Sequence, residues 1–115
     1  MNIEEFRHYC LAKKGVTEEF PFGKDTLVYK VQGKMFALAD IDVFSGINLK
    51  CDPEEIPELR EQYPAVQPGY HMNKKHWITV MMDDSLPDDL IRSWIDNSYQ
   101  LVVAKLPKKL RNELD

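Results

Sequence analysis

From residue 17 to residue 50 the chain alternates with a period of two, and the alternation doubles back on itself. Leu27, Tyr29 and Val31 fall on one side, Val28 and Lys30 on the other. Gln32-Gly33 interrupts, and Lys34 to Ala39 resumes. A period of two is that of a β-strand, whose successive side chains point to opposite faces. Gly33 supplies the positive φ that a two-residue turn needs, so the pattern predicts a hairpin. Phe20-Pro21-Phe22-Gly23 reads as a strand end and a turn. Ser45-Gly46 breaks the run again, after which Ile47 and Leu49 point one way and Asn48 and Lys50 the other. Three or four antiparallel strands fit between residues 17 and 50.

Helical spacing brackets this run. Residues 2 to 13 carry Ile3, Phe6 and Cys10 on one stripe, with Tyr9 flanking it and Asn2 and Glu5 in capping-box positions. Gly15 is a left-handed stop. Residues 52 to 63 place Ile56, Leu59 and Tyr63 on a short helix behind the cap Asp52-Pro53-Glu54-Glu55. Pro57 would delete one intrahelical bond, so the helix proper either starts at the cap or begins near Pro57. Residues 64 to 74 read as irregular and Lys75 to Met82 as a strand. Ser85-Leu86-Pro87-Asp88 opens the longest helix, expected to run to about Lys105. Its stripe of Leu90/Ile91, Trp94/Ile95, Tyr99, Val102/Val103 and Leu106 is broad enough to press on a sheet. Pro107 ends it, and a short basic tail follows. This order predicts one α+β domain over residues 1–115: a single antiparallel sheet with helices packed on one face.

Composition restricts the function classes. The 115 residues suffice for one domain and one core. A formal net charge of −4 excludes a uniform polycation. No apolar run reaches the roughly 20 residues of a membrane span. The N-terminus is acidic and amphipathic, unlike a secretory signal, so a cytoplasmic protein with no membrane partner is expected. Cys10 and Cys51 are far apart and read as free thiols. Gly-rich phosphate loops, HExxH and GxSxG do not occur.

At residues 64 to 77 the chain reads Pro-Ala-Val-Gln-Pro-Gly-Tyr-His-Met-Asn-Lys-Lys-His-Trp. This stretch resembles the signature of the MmcQ/YjbR family of small bacterial proteins. Phe20-Pro-Phe-Gly23, Leu49-Lys-Cys-Asp-Pro53 and Ser98-Tyr-Gln-Leu-Val-Val-Ala-Lys105 agree with it in order and spacing. The resemblance implies a fold similar to the CyaY/frataxin shape, with hairpins described as a double wing. It also implies the DNA-binding label that the family carries, an inference from shape, and brings no catalytic residues with it. A fold alone does not establish a function. Pro57 is unusual for the family and bears only on where the short helix starts.

The residues themselves offer two basic segments. Tyr70, His71, Asn73, Lys74, Lys75 and His76 lie in a stretch with no acid between Val66 and Met82. Ammonium groups pair with phosphates, Asn73 or His71 can bond phosphate or base edges, and an aromatic ring stacks on an unpaired base for roughly 1–3 kcal/mol. The competing structural reading takes Trp77, at strand spacing with Thr79, into the core and leaves Lys74-Lys75 as a solvated turn. The second segment holds Lys105, Lys108, Lys109 and Arg111, again without an acid. Its alternative is a helix C-terminus satisfied by its own lysines. If both segments share a face they form a positive patch that the net charge hides.

Other chemistry finds less support. Cys51 precedes a helix start that would lower a thiol pKa, but Asp52, Glu54 and Glu55 act the other way. His71 and His76 are an odd number of residues apart and would face opposite sides of a strand. The expectation is a non-enzymatic protein with no cofactor and no metal. DNA is the expected partner, bound weakly and salt-dependently through Tyr70, His71, Asn73, Lys74, Lys75, Lys105, Lys108 and Lys109. The alternative is a small-ligand or protein-partner module using the open sheet face, with Phe20, Phe22, Tyr70 and Trp77 as its aromatics.

Overall fold

The computed structural model describes residues 1–70 and 72–114. Its elements, in chain order, are α1 (Ile3–Leu11), β1 (Val16–Glu19), β2 (Thr26–Val31), β3 (Lys34–Asp40), β4 (Gly46–Lys50), α2 (Ile56–Gln62), β5 (Val66–Pro68), β6 (Trp77–Met81), α3 (Asp88–Ala104) and α4 (Lys108–Asn112). The six strands form one sheet in the order β1-β2-β3-β4-β6-β5, and every adjacent pair is antiparallel. The predicted architecture is therefore the observed one.

The hairpin β2–β3 turns at Gln32 (φ 47°) and Gly33 (φ 83°), the two left-handed residues that a right-twisted hairpin requires. Beyond the turn the register slips. Tyr29 pairs with Ala37 and Lys30 with Met35, so Phe36 is the extra residue of a bulge. The bulge puts Phe36 and Ala37 in succession on the helix-covered side, while Met35 and Leu38 join the opposite face. Phe36 meets Tyr99 of α3 edge to face, with ring centroids 5.4 Å apart.

All the main helices pack on that one side. Phe6 and Cys10 of α1, Ile56 of α2, and Ile91, Ile95, Tyr99 and Val102 of α3 share a core with Leu27, Tyr29, Val31, Ile47, Leu49, Ile78 and Val80 of the strands. Burying each large side chain such as Ile95 contributes roughly 1.5–3 kcal/mol. Asn2 caps α1 by accepting from the Glu5 backbone N–H, and Glu5 returns the bond to the Asn2 backbone. Pro57 sits in the first turn of α2, where no intrahelical donor is lost, so the later of the two expected starts is the real one.

Three features differ from expectation. The irregular segment contains β5, a three-residue edge strand whose Val66 pairs with Val80. The basic tail folds as α4, tethered where the Gln32 side-chain amide donates to the Leu110 carbonyl at 3.2 Å. Within the stripe of α3 lies a polar residue, Ser98, which is fully buried. Its hydroxyl donates to the Phe36 carbonyl at 2.6 Å and accepts from the Lys50 backbone N–H at 2.8 Å.

The opposite face of the sheet carries no helix. A small second cluster of Val28, Leu38 and Trp77, flanked by Met35 and Met72, covers part of it. No helix among the described residues is long and apolar enough to cross a membrane.

Candidate functional site

The strand directions sort the charges. One end of the sheet holds the start of β1, the β2–β3 turn, the end of β4 and the start of β6. The Tyr99 hydroxyl donates to the Lys14 carbonyl at 2.6 Å, and Ser98 reaches Lys50, so the C-terminal part of α3 lies over this same end. Lys13, Lys14, Lys34, Lys50, Lys74, Lys75 and Lys105 thus belong to it, and Lys108, Lys109 and Arg111 follow on α4. The other end carries Asp40 at the end of β3, Asp25, Asp42, Asp83 and Asp84 in its turns, with Lys24 among them, and Asp88 and Asp89 at the start of α3. A net charge of −4 conceals this division.

The centre of the lysine end is Lys50, an open-face residue of β4. Its ammonium sits 5.8 Å from the centroid of the Trp77 ring. Burial holds Lys50 below the ordinary lysine range, and the ammoniums of Lys105 and Lys34 add to that effect. Lys34 of β3 and Lys105, just past α3, are therefore each within electrostatic reach of Lys50. Among the described residues none of Lys34, Lys50, Lys74, Lys75, Lys105, Lys108 or Lys109 forms an ion pair. The acidic turn at Asp52 to Glu55 borders the patch on one side, beside the backbone bond from Cys51 N–H to the His76 carbonyl.

The loop that brings Lys74 and Lys75 there is a built turn. The Asn73 side-chain oxygen accepts from the Lys75 N–H at 2.9 Å, and the Asn73 carbonyl accepts from the N–H groups of His76 and Trp77. One lone pair of the Asn73 oxygen is thus engaged, while the other and the amide N–H2 remain for a ligand. Lys74, Lys75, Lys105, Lys108 and Lys109 are exposed. Tyr70 is 69% exposed, while its backbone N–H is anchored to the Thr79 hydroxyl at 2.8 Å. Trp77 is buried, so it belongs to the core cluster of the open face and presents no stacking platform. His71 lies outside the described residues.

Lys13 and Lys14 extend the patch onto the helix side. With Lys108 and Arg111 they border an open cleft of about 910 Å³ whose floor includes Tyr9 and Tyr99. Lys13 lies 4.7 Å from the Tyr9 ring centroid and is paired with Asp96. The Lys13-Lys14 pair and Lys50 escape a reading of basic runs because they stand far from one another and from residues 74–75 and 105–111 in the chain. The only available signal was that Lys50 alternates to the open face beside Leu49.

The middle of the open face and its acidic end form a second concavity of about 670 Å³. Leu38, Asn48, Thr79, Met72 and Met81 line it, with Asp40 at one end and Phe22 and Tyr70 at the rim. Elsewhere, burial together with Glu55 and Asp52 pushes the Cys51 thiol up to about 11, which opposes thiolate formation at neutral pH. No group of three or more His, Cys, Asp or Glu among the described residues is placed to hold a metal ion.

A six-stranded antiparallel sheet with all its main helices on one side and a bare opposite face defines an open-faced α+β class. Within that class the chain belongs to the YjbR family, whose characteristic sequence matches residues 11–101. It is 37% identical over 115 residues to the uncharacterized protein YjbR of Escherichia coli K12, covering 99% of this chain and 98% of that one. The uncharacterized protein YbdF of E. coli O157:H7 is 42% identical over 91 residues, covering 78% and 75% of the two chains. Among solved structures, a Deinococcus radiodurans protein of domain family DUF419 superposes with a TM-score of 0.92 at 40% identity, over 98% of this chain and 87% of that one. A Pseudomonas syringae protein superposes at 0.74 with 34% identity, over 88% and 98%.

Proposed function

We propose that this chain is a non-enzymatic cytoplasmic domain that binds DNA through the lysine end of its sheet. The observation that carries this reading is the convergence of Lys34, Lys50 and Lys105 without an ion-pair partner among the described residues. Lys50, destabilised by the like charges of Lys105 and Lys34, is relieved by a polyanion, whose binding releases counterions. Lys74, Lys75, Lys105, Lys108 and Lys109 contact phosphates, while Tyr70 and Asn73 contact sugar or base edges. His71 joins them on the strength of its place in the sequence.

The test is a fluorescence-anisotropy titration of a labelled duplex at two salt concentrations. Affinity on the order of 10⁻⁴ to 10⁻⁶ M is expected, with five lysine contacts giving a log–log salt slope of about −4.5. Lys74→Glu with Lys75→Glu, and separately Lys105→Glu, are expected to weaken binding. Absence of binding at low salt, or indifference to both variants, refutes the reading. A second reading, a small-ligand site, is favoured by the aromatic-rimmed concavity on the open face.

A further inference from the structure

We infer that the open-face groove is a binding site for a small organic cation, an aromatic or aliphatic body carrying a protonated amine. The inference deepens the small-ligand reading of this groove and shares only Tyr70 with the proposed duplex surface.

The groove has the size and make-up of a ligand site. Its 670 Å³ lies within the range of about 300–1,000 Å³ that such sites occupy. Its walls are apolar, from Leu38, Met72 and Met81, and its rim is aromatic. Phe22 is 62% exposed and Tyr70 is 69% exposed. The exposed Phe22 ring at the mouth of an apolar concavity gains contact when an apolar body enters. Gly46 lines this face, paired with Met81 of β6. A Cβ there would stand 3.2 Å from the Thr79 side chain and 3.7 Å from the Met81 sulfur. The floor is thus kept open by the one residue without a side chain.

Charge sets the class of occupant. Asp40 is the only charged residue lining the groove among those described. Its Oδ1 accepts from the Asp42 backbone N–H at 2.8 Å, and no cationic side chain pairs with it among the described residues. Asp25 and Asp42 stand beside it and act on each other as like charges. Asp40 at the end of an apolar groove, with Asp25 and Asp42 outside it outweighing Lys24 of the same turn, repels an anion and attracts an ammonium, which an aromatic rim also favours. The phosphates of a nucleic acid are excluded from this half on the same ground. At the centre, Asn48 spends its Oδ1 on the Thr79 hydroxyl, so its amide N–H2 is left to donate to an acceptor on the ligand.

The test titrates the full chain with three probes of similar shape: phenethylamine, 2-phenylethanol and 3-phenylpropionate. Backbone and side-chain NMR shifts are the readout. The expected result is saturable shifts at Phe22, Asn48 and Thr79 with phenethylamine, weaker binding of the alcohol, and the weakest with the carboxylate. Asp40→Asn keeps the acceptor for the Asp42 N–H and removes the charge. It is expected to weaken phenethylamine about tenfold and to leave the alcohol unchanged. Phe22→Ala, at an exposed position that folding does not need, is expected to weaken both. Equal binding of all three probes, preference for the carboxylate, no shifts at these residues, or an amine affinity indifferent to Asp40→Asn each overturns the inference. None of these outcomes bears on duplex binding at the lysine end.

Discussion

Thr79 and Asn48 face each other across β6 and β4, and the Thr79 hydroxyl donates to the Asn48 Oδ1 at 2.5 Å. The same hydroxyl accepts from the Tyr70 backbone N–H. One oxygen therefore fixes both the floor of the groove and the loop above it. Thr79→Val keeps the shape and strands both partners. A loss of about 1 kcal/mol is expected, at the low end of the cost for unpaired polar groups because water reaches this face. Urea denaturation measures the loss, and faster hydrogen exchange at the Tyr70 amide localises it. An unchanged exchange rate would show that the loop is held some other way.

Ser98 performs the corresponding task on the buried side. It joins the bulge at Phe36 to the end of β4 from within α3. Ser98→Ala leaves a carbonyl and an N–H without their partner in a dry interior, which costs about 1–3 kcal/mol. Thermal or urea unfolding measures it. A neutral outcome would mean that the two groups find other partners.

The fold was legible wherever the local signal and the tertiary demand coincide. The Gln32-Gly33 turn, the capping box at Asn2 and Glu5, and the stripe of α3 are each specified by residues a few positions apart. What was not legible depends on distant partners. Val66 to Pro68 is a strand only because β6 lies beside it, and a run with prolines at 64 and 68 gives no periodic sign of this. The bulge at Phe36 and the burial of Ser98 explain each other, and neither alters the hydrophobic pattern. At the candidate site, the acid-free run around Lys74 and Lys75 stood out in one dimension. Lys50 joins it only through the register of β4 with β6, which sets it opposite Trp77. Trp77 itself followed its strand spacing into the core.

Gly69 is a packing requirement. A Cβ there would come within 2.8 Å of the Trp77 Cβ and 2.9 Å of the Trp77 carbonyl oxygen. Gly69→Ala must therefore part the chain at Gly69 from the start of β6. The expected destabilisation is about 1–3 kcal/mol, the usual cost of overpacking. The Gly69 N–H to Trp77 carbonyl bond, 3.2 Å long, should be lost first and its amide should exchange faster. Native-like stability in this variant would mean that the loop yields without strain.

Lys50 reports directly on the lysine end. Burial is the larger cause of its lowered pKa, followed by Lys105 and then Lys34. Lys105→Gln is therefore expected to raise the Lys50 pKa part of the way toward the ordinary value, leaving the share due to burial. An NMR titration of the Lys50 side chain measures this. No movement on removing Lys105 would place the two ammoniums too far apart to act as one patch.

Tyr9 links the patch to alkaline stability. Its hydroxyl donates to both oxygens of Asp96, at 2.7 and 2.8 Å. Burial, and then this bond to a carboxylate, raise the phenol from 10.0 to about 12. The unfolded chain releases that proton near pH 10, whereas the folded chain keeps it until about pH 12. Across this window the unfolded state binds fewer protons, so stability falls as pH rises. The contribution is complete below pH 10 and is lost through the folded pKa. Tyr29, likewise raised by burial and by Glu18, adds to the fall in the same sense. Tyr9→Phe is expected to begin from a lower plateau and to lose less stability across the window than the parent. Urea unfolding on either side of about pH 10 compares the two slopes, with phenolate absorbance to follow the titration. Parallel slopes would mean that Tyr9 titrates alike in both states and that its bond to Asp96 does not hold the proton.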